Sequence, residues 1–350
     1  MRRLGLALTV AAVAVALSTG SALACGGLIG PNGAVNLVRT TTFAGFANGV
    51  EHYVTAFQFA GGGGRFGSIT PLPGIPSSVE KGGDWTLQRL VRETQPVALF
   101  ERLEASPAAS SGAEELMKVR IDALDLTVLR GGAADIGTWA KDHGFRLPPD
   151  APEVLDFYAE RSPIFLAAAF DADAAKARGQ QIGDGTPVHI TIPTEHPWVP
   201  LRILALGKQP AEHVDADVYL LTDRRPSLLP TPIGGNGIEL AHSASATDSL
   251  LGDLRSDRGM SWVPARGWLS QIRVNADADQ LSYDLAIDET GSGHASPVAA
   301  GFELPSAPRA TVDTGRIGLA LLVLMTGIAV VAGVMIGRGS SGRVPQAPRG

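Results

Sequence analysis

A single cysteine, Cys25, leaves no intrachain disulfide to form and no thiolate cluster to hold a metal. Stability must therefore come from packing. Charge of one sign is also scarce: Lys and Arg total 29 against 35 Asp and Glu, the net charge is −6, and no basic stripe crosses the middle of the chain. That balance offers no electrostatic footprint for nucleic acid, which is set aside as a partner. Aromatics make up 6% and charged residues 18%, whereas apolar residues reach 45%, a folded composition inflated by two membrane-seeking stretches. The 350 residues allow one large domain or two ordinary ones, with ample length for a core.

Reactive motifs are missing as well. The glycine run 61–64 is followed by Arg65 rather than Lys-Ser or Lys-Thr, so it lacks the ammonium and hydroxyl of a phosphate loop and reads as a turn. Gly-x-Ser-x-Gly does not occur, and Gly291-Ser292-Gly293 falls in a small-residue segment near the end. The seven histidines are scattered. His189 and His196, with Glu195 beside the latter, are an odd number of residues apart, so strand alternation sends their rings to opposite faces, and Pro193 interrupts the strand. His213, Asp215 and Asp217 do share a face and form the best nitrogen and oxygen cluster, set against the plainer reading of acids in a solvated turn. Asp277, Asp279 and Asp284 lack the glycine and terminal glutamate of a calcium loop. Asp122 with Asp125, and Asp171 with Asp173, read as strand-end acids rather than a hydrolytic pair. Trp85, Trp139 and Trp198 fit core packing better than a binding groove. No catalytic residue is identified, and no cofactor is called for.

What is present points to a membrane at both ends. Arg2 and Arg3 precede an apolar run over 4–17, and Ser21-Ala22-Leu23-Ala24 supplies small residues for cleavage after Ala24. Cys25 directly afterwards opens acylation as a second possibility, although Ala22 stands where a lipobox wants Leu. The uncharged run 317–337, IGLALLVLMTGIAVVAGVMIG, matches the roughly 30 Å hydrocarbon layer as a helix rising about 1.5 Å per residue. Arg338, Arg343 and Arg349 follow it without an acid, which places the tail in the cytoplasm and the body outside. Ala329, Gly333 and Gly337 form a small-residue stripe compatible with a helix dimer, or simply with membrane-helix composition. Leu304-Pro305 shares only two residues with a sortase signal.

The expected organisation is a signal peptide over 1–24, an extracytoplasmic α+β, strand-dominated domain over 25–290, a Gly/Pro-rich stalk over 291–316, a transmembrane helix over 317–337 and a basic tail over 338–350. Segments 35–43 and 50–59 flank Asn48-Gly49 and predict a hairpin. Further strands are expected over 66–69, 119–129, 164–170, 188–192, 199–206 and 217–221. A second hairpin is expected from 269–274 and 281–287 around Asp277-Ala278-Asp279. Helices are expected over 85–94 capped by Asp84, from Pro96 through 103, over 136–143 stopped by Gly144, and from Asp150 through 160 with a capping box to Glu153.

The order of certain motifs is familiar. Cys25-Gly26-Gly27, Ile69-Thr70-Pro71-Leu72-Pro73, Asp125-Leu126, Trp139-Ala140-Lys141-Asp142-His143-Gly144-Phe145 and Pro197-Trp198-Val199-Pro200-Leu201-Arg202-Ile203 together resemble the bacterial family known as domain of unknown function 2330, over 25–288. These are structural glycines, prolines and aromatics rather than reactive groups. The resemblance implies an exported, often membrane-anchored protein with a shared fold and no assigned activity. A second cysteine often follows Cys-Gly-Gly closely in that family; 28–32 has none, so a shared disulfide or metal role for Cys25 does not carry over. Two functions then compete: a noncatalytic surface module binding an envelope component or partner protein, and an envelope hydrolase using carboxylates and a metal near His213, Asp215 and Asp217.

Overall fold

The computed structural model describes residues 27–30, 33–34, 40–58, 66–94, 114–177, 179 and 185–305, all within the first of two compact units, 1–305 and 306–350. The leader, Cys25, the glycine run 61–64, the second helix expected after Pro96 and the run 317–337 lie outside the described residues. Among the described residues, no helix is long and apolar enough to cross a membrane.

The chain begins with β1 (Gly27–Gly30), β2 (Gly33–Ala34), β3 (Thr40–Ala47) and β4 (Val50–Gln58). Asn48 and Gly49 carry φ of 54° and 75° between β3 and β4, the two positive angles that make Asn-Gly the favoured two-residue hairpin turn. Next come β5 (Phe66–Leu72), β6 (Ser78–Lys81), α1 (Thr86–Thr94), β7 (Glu114–Ile121), β8 (Leu124–Arg130), α2 (Ala133–Asp142) and α3 (Ala151–Ala159). Then follow β9 (Ile164–Phe170), α4 (Ala172–Ala177), β10 (Gly185–Pro193), β11 (Trp198–Val199), β12 (His213–Thr222), β13 (Ser227–Leu229) and β14 (Ile238–Ser245). The last elements are α5 (Asp248–Ser256), β15 (Trp268–Asp277), β16 (Leu285–Asp288) and α6 (Pro297–Ala300). The result is α+β and strand-rich, with few and short helices.

Two sheets and two pairs of helices stack in four layers. One sheet runs β14-β15-β12-β3-β4-β10-β6, antiparallel except where β3 meets β12; the other runs β2-β1-β5-β9-β8-β7. Strand alternation divides the apolar residues between layers. Ala44, Tyr53, Val188, Val218 and Ile272 of the first sheet meet Leu124, Leu126, Leu166 and Phe170 of the second in the main core. The outer face of the second sheet, with Ile69, Leu129 and Phe165, is covered by Ile136 and Trp139 of α2 and Leu155 and Tyr158 of α3. The outer face of the first, with Phe43, Val54 and Tyr219, is covered by Leu90 of α1 and Leu250, Leu251 and Leu254 of α5. A small third sheet, β11-β16-β13, joins the layers: Leu285 and Ile287 enter the main core and Ala286 the helix-side core.

Several expectations are corrected. Segment 119–129 is two strands, β7 and β8, because Asp122 adopts φ 58° and turns the chain without a glycine. Segment 199–206 is the short β11 followed by a 3₁₀ turn, Arg202–Ala205. The second hairpin does not form: β15 pairs with β12 and β14, whereas β16 pairs with β11 and β13. The start of α1 is served not by Asp84 but by Asp257, whose carboxylate accepts from the backbone N–H of Asp84 (3.1 Å) and Trp85 (3.1 Å) and from the Thr86 hydroxyl (2.7 Å). Asp150 caps no helix; its carboxylate takes the Gly207 N–H at 2.8 Å, and Glu153 pairs with Arg202. The stalk expected from 291 begins as folded chain: Ala299 and Ala300 of α6 are buried in the helix-side core, and 306–316 lies outside the described residues.

The 3₁₀ turn follows from a buried network. Arg161 (Nη2) meets Asp284 (Oδ2) at 2.6 Å with side chains 3% and 0% exposed. The other oxygen, Oδ1, accepts from the Tyr158 hydroxyl (2.8 Å) and from the N–H of Leu201 (2.7 Å) and Arg202 (3.1 Å), while Ile203 N–H donates to the Tyr158 oxygen (2.8 Å). Truncating one partner strands a buried charge. Arg161→Met is expected to cost about 3–5 kcal/mol of stability in urea unfolding, and pairing it with Asp284→Asn is expected to cost clearly less than the sum of the two single changes.

Candidate functional site

Four chain segments converge beside the β3–β4 turn to form a cleft of about 330 Å³. Its lining includes Phe46, Asn48 and Gly49, then Thr194 and Pro197, then Asp223 and Arg224, and finally Glu289 and Thr290. Backbone bonds join these segments: Thr194 N–H donates to Gly49 O (3.1 Å) and Ile287 N–H to Pro197 O (3.0 Å). The Thr222 hydroxyl donates to Arg224 O at 2.7 Å. Asp288 organises the last wall by accepting from Thr290 N–H, the Thr290 and Ser292 hydroxyls, and the N–H groups of Gly293 and His294. Burial works against its charge, but the hydrogen bonds from Thr290, His294 and Ser292 outweigh that and hold the carboxyl well below the usual carboxylate range.

One strand pairing links Glu51 to this cleft. Glu51 pairs across the sheet with Phe46, a cleft residue, and with Ile192, and it is 0% exposed. Neither carboxyl oxygen has a well-formed hydrogen bond among the described residues, the Trp198 backbone offering at best a weak one. Burial drives its pKa well above 4.5, opposed only in part by the backbone of Trp198, the residue after cleft-lining Pro197. Burial thus favours the neutral form of the Glu51 carboxyl, which can donate as well as accept. The inward faces of nearby strands continue this polarity: the buried hydroxyls of Thr55, Ser68, Thr70 and Thr186 also lack partners among the described residues.

A second constellation lies on the opposite face of the same sheet. His52 on β4 and His189 on β10 bring Nδ1 and Nε2 within 3.0 Å of each other. The Trp262 ring stacks on His52 with centroids 3.9 Å apart and planes 4° apart. Gly45, the cross-strand partner of His52, makes this possible, since a Cβ there would come within 2.1 Å of the indole. Burial lowers both histidines to about 4, and for His52 repulsion from His189 adds to it. Both rings are neutral at pH 7 and one donates to the other.

The residues singled out from the sequence are placed elsewhere. His213 is exposed, 3.5 Å from Asp215 and 3.9 Å from Asp277, while Asp217 is buried and accepts from Gln271 at 2.9 Å, so the three do not converge. Among the described residues no group of three or more His, Cys, Asp or Glu is arranged to hold a metal. His189 is buried on β10 whereas His196 is exposed in the following turn. Asp122 pairs with Lys81, Asp125 lies 3.7 Å from Arg120, and Asp171 caps α4 through the N–H groups of Asp173 and Ala174. Trp139 and Trp198 are buried in the helix-side core and Trp85 is half-buried. The cleft and the histidine pair were both missed, because each depends on strand register between distant segments; the Asn-Gly turn is the one sequence signal that marks the cleft.

A family described as an uncharacterized protein conserved in bacteria, DUF2330, matches residues 19–287. No curated protein sequence matches the chain. Solved structures with some likeness include a mutated baculovirus P35 after caspase cleavage, at 8% identity and TM-score 0.37 over 73% of this chain and 98% of that one. Another is baculovirus P35, at 9% identity and TM-score 0.37 over 71% and 96%.

The histidine pair makes a pH prediction. Its folded-state values near 4 lie below the ordinary 6.5, so folding excludes protons that the unfolded chain binds. Stability is present above pH 6.5 and is lost as pH falls from there through about 4. Urea unfolding at stepped pH is expected to show this loss in the native chain, and a His52→Asn/His189→Asn variant is expected to show a flatter profile across that window.

Proposed function

This chain belongs to the family of uncharacterized bacterial proteins DUF2330, and we propose that it is a membrane-anchored extracytoplasmic binding module whose ligand site is the cleft beside the β3–β4 turn. The anchor in this reading is the uncharged run 317–337, and export is by the leader 1–24. The domain stands outside the cytoplasm, the basic tail inside, and the ligand is a component of the cell envelope. Pairing of chains through Ala329, Gly333 and Gly337 is compatible with this arrangement.

The observation that carries the binding role is Glu51. A fully buried carboxyl with no more than a weak bond to the Trp198 backbone costs stability, and folding alone gives no reason to retain it. Its cross-strand pairing with cleft-lining Phe46 gives one: a buried acid that favours its neutral form backs a cleft lined by Arg224, Asp223 and Glu289, which suits a polar envelope ligand such as a peptidoglycan fragment. The competing hydrolase reading finds no support in the geometry, since Asp217 faces Gln271 rather than His213 and Asp215.

Two measurements check this. Glu51→Gln removes a group that must be protonated on folding above about pH 4.5, so it is expected to raise stability at pH 7 by about 1 kcal/mol or more, with the gain vanishing as pH falls below 4.5. Soluble peptidoglycan fragments are expected to raise the melting temperature of the detergent-purified chain, and Arg224→Ala and Glu51→Gln are expected to abolish that rise. A ligand-induced shift identical in both variants and the native chain would remove the cleft as the site.

A further inference from the structure

We propose, resting on the membrane-anchored reading above, that the end of the body carrying Ile233, Phe302 and Leu304 lies on the outer surface of the anchoring bilayer and inserts these side chains among the lipids. Among the described residues four large apolar side chains are exposed: Ile75, Ile233, Phe302 and Leu304, with Ile233 the most open at 73%. Single exposed apolar residues are ordinary, but three of these four share one end of the molecule. Tyr283 joins them. Its hydroxyl donates to Asn236 O in the loop that carries Ile233, and its ring lies 6.2 Å from that of Phe302. The loop is held in place: Asn236 (Nδ2) donates to Thr231 O at 3.0 Å and Gly234 N–H to Ile238 O at 2.7 Å. Phe302 is fixed too, its N–H donating to Pro297 O at 2.9 Å just past α6.

Chain length brings lipid within reach of this end. Eleven residues, 306–316, separate Pro305 from the uncharged run 317–337, and at no more than about 3.6 Å each they span at most roughly 40 Å. A bilayer that holds the run is thus always near Phe302 and Leu304, and even weak insertion is favoured because it is intramolecular. Burial of apolar atoms, not attraction to anionic headgroups, drives the contact. No charged residue lies between Arg225 and Glu239, Glu239 pairs with Arg273 at 3.6 Å, and Glu303 stands between Phe302 and Leu304.

Strand direction sets where the cleft then stands. Asn275 N–H donates to Gly237 O (2.9 Å), and β12 starts beside that part of β15, with Val214 opposite Ala276. From there β12 runs ten residues to Thr222, near which the parallel β3 ends in the β3–β4 turn. The apolar end and the cleft therefore lie at opposite ends of the larger sheet, and a body resting on Ile233 and Phe302 holds its cleft roughly 30 Å out from the lipid, at about 3.3 Å per strand residue. Ile75 is at the cleft end, since Ser77 N–H donates to Thr191 O (2.8 Å) and Pro193 pairs with Val50 beside the turn.

The test uses the full chain in phosphatidylcholine vesicles, with Cys25→Ser removing the native thiol and an environment-sensitive dye attached at Ile233→Cys, Phe302→Cys or Ile75→Cys in turn. Dye at 233 and at 302 is expected to shift to the blue and to lose emission to doxyl-labelled phosphatidylcholine, whereas dye at 75 keeps its aqueous spectrum and is not quenched. Phe302→Asp in the chain labelled at 233 is expected to weaken the quenching there, with circular dichroism checking that each variant folds. Blue-shifted dye at 233 that doxyl lipid does not quench means that protein covers this end, and aqueous spectra at 233 and 302 mean that nothing does; either result overturns the proposal. Flotation of the vesicles after alkaline extraction reads the anchor separately. Chain that floats while 233 and 302 stay aqueous leaves the anchored reading standing and removes this contact, whereas chain that does not float removes both.

Discussion

The buried pair of Arg161 and Asp284 is the interaction on which the rest of this fold depends. It joins parts of the chain far apart in sequence: α3 through Tyr158 and Arg161, the turn after β11 through Leu201 and Arg202, and the segment entering β16 through Asp284 itself. Arg161 also donates to Ala299 O at 2.6 Å, which fixes α6, and its guanidinium lies over the rings of Phe157, Tyr158 and Trp198. Burying two charges is costly unless every polar atom is matched, and here the carboxylate collects four donors. The site inherits this order. Asp284 sets where β16 starts, β16 ends at Asp288, and Asp288 shapes the wall of the cleft that carries Glu289 and Thr290.

The same device recurs. Asp257 gathers the start of α1, Asp288 gathers 290–294, and Asp171 starts α4, so acids that could have served chemistry are spent on loop geometry. Against that background Glu51 stands apart, since it is as buried as Asp284 yet has no well-formed hydrogen bond among the described residues, the Trp198 backbone opposing its burial only in part. One carboxylate is over-satisfied and organises the fold. The other is poorly satisfied and pairs across the sheet with a cleft residue, and that contrast is what motivates the binding role proposed for it.

Local signals were legible in the sequence and long-range ones were not. Asn48-Gly49 specifies its own turn, Gly144 stops α2 at φ 78°, and 164–170 became a strand buried along its whole length. Reading failed where a distant group overrode local chemistry: Asp84 looked like a cap, but Asp257, some 170 residues on, does the work. The stretch 199–206 alternates like a strand, yet the N–H groups of Leu201 and Arg202 are taken by Asp284. Periodicity could say nothing of His52, 137 residues from His189, because a cross-strand neighbour is visible only once register is known. Glu51 was likewise silent, since its lack of a well-formed hydrogen bond is a property of the packed core.

Native-state hydrogen exchange at Leu201, Arg202 and Ile203 tests the central claim most directly. These amides belong to a short turn and would ordinarily exchange by local opening. If the Arg161, Tyr158 and Asp284 network holds the fold together, they exchange only through global unfolding, with the same free energy as the central amides of β9 and β12. Exchange at those three positions well before the sheet opens would contradict the account.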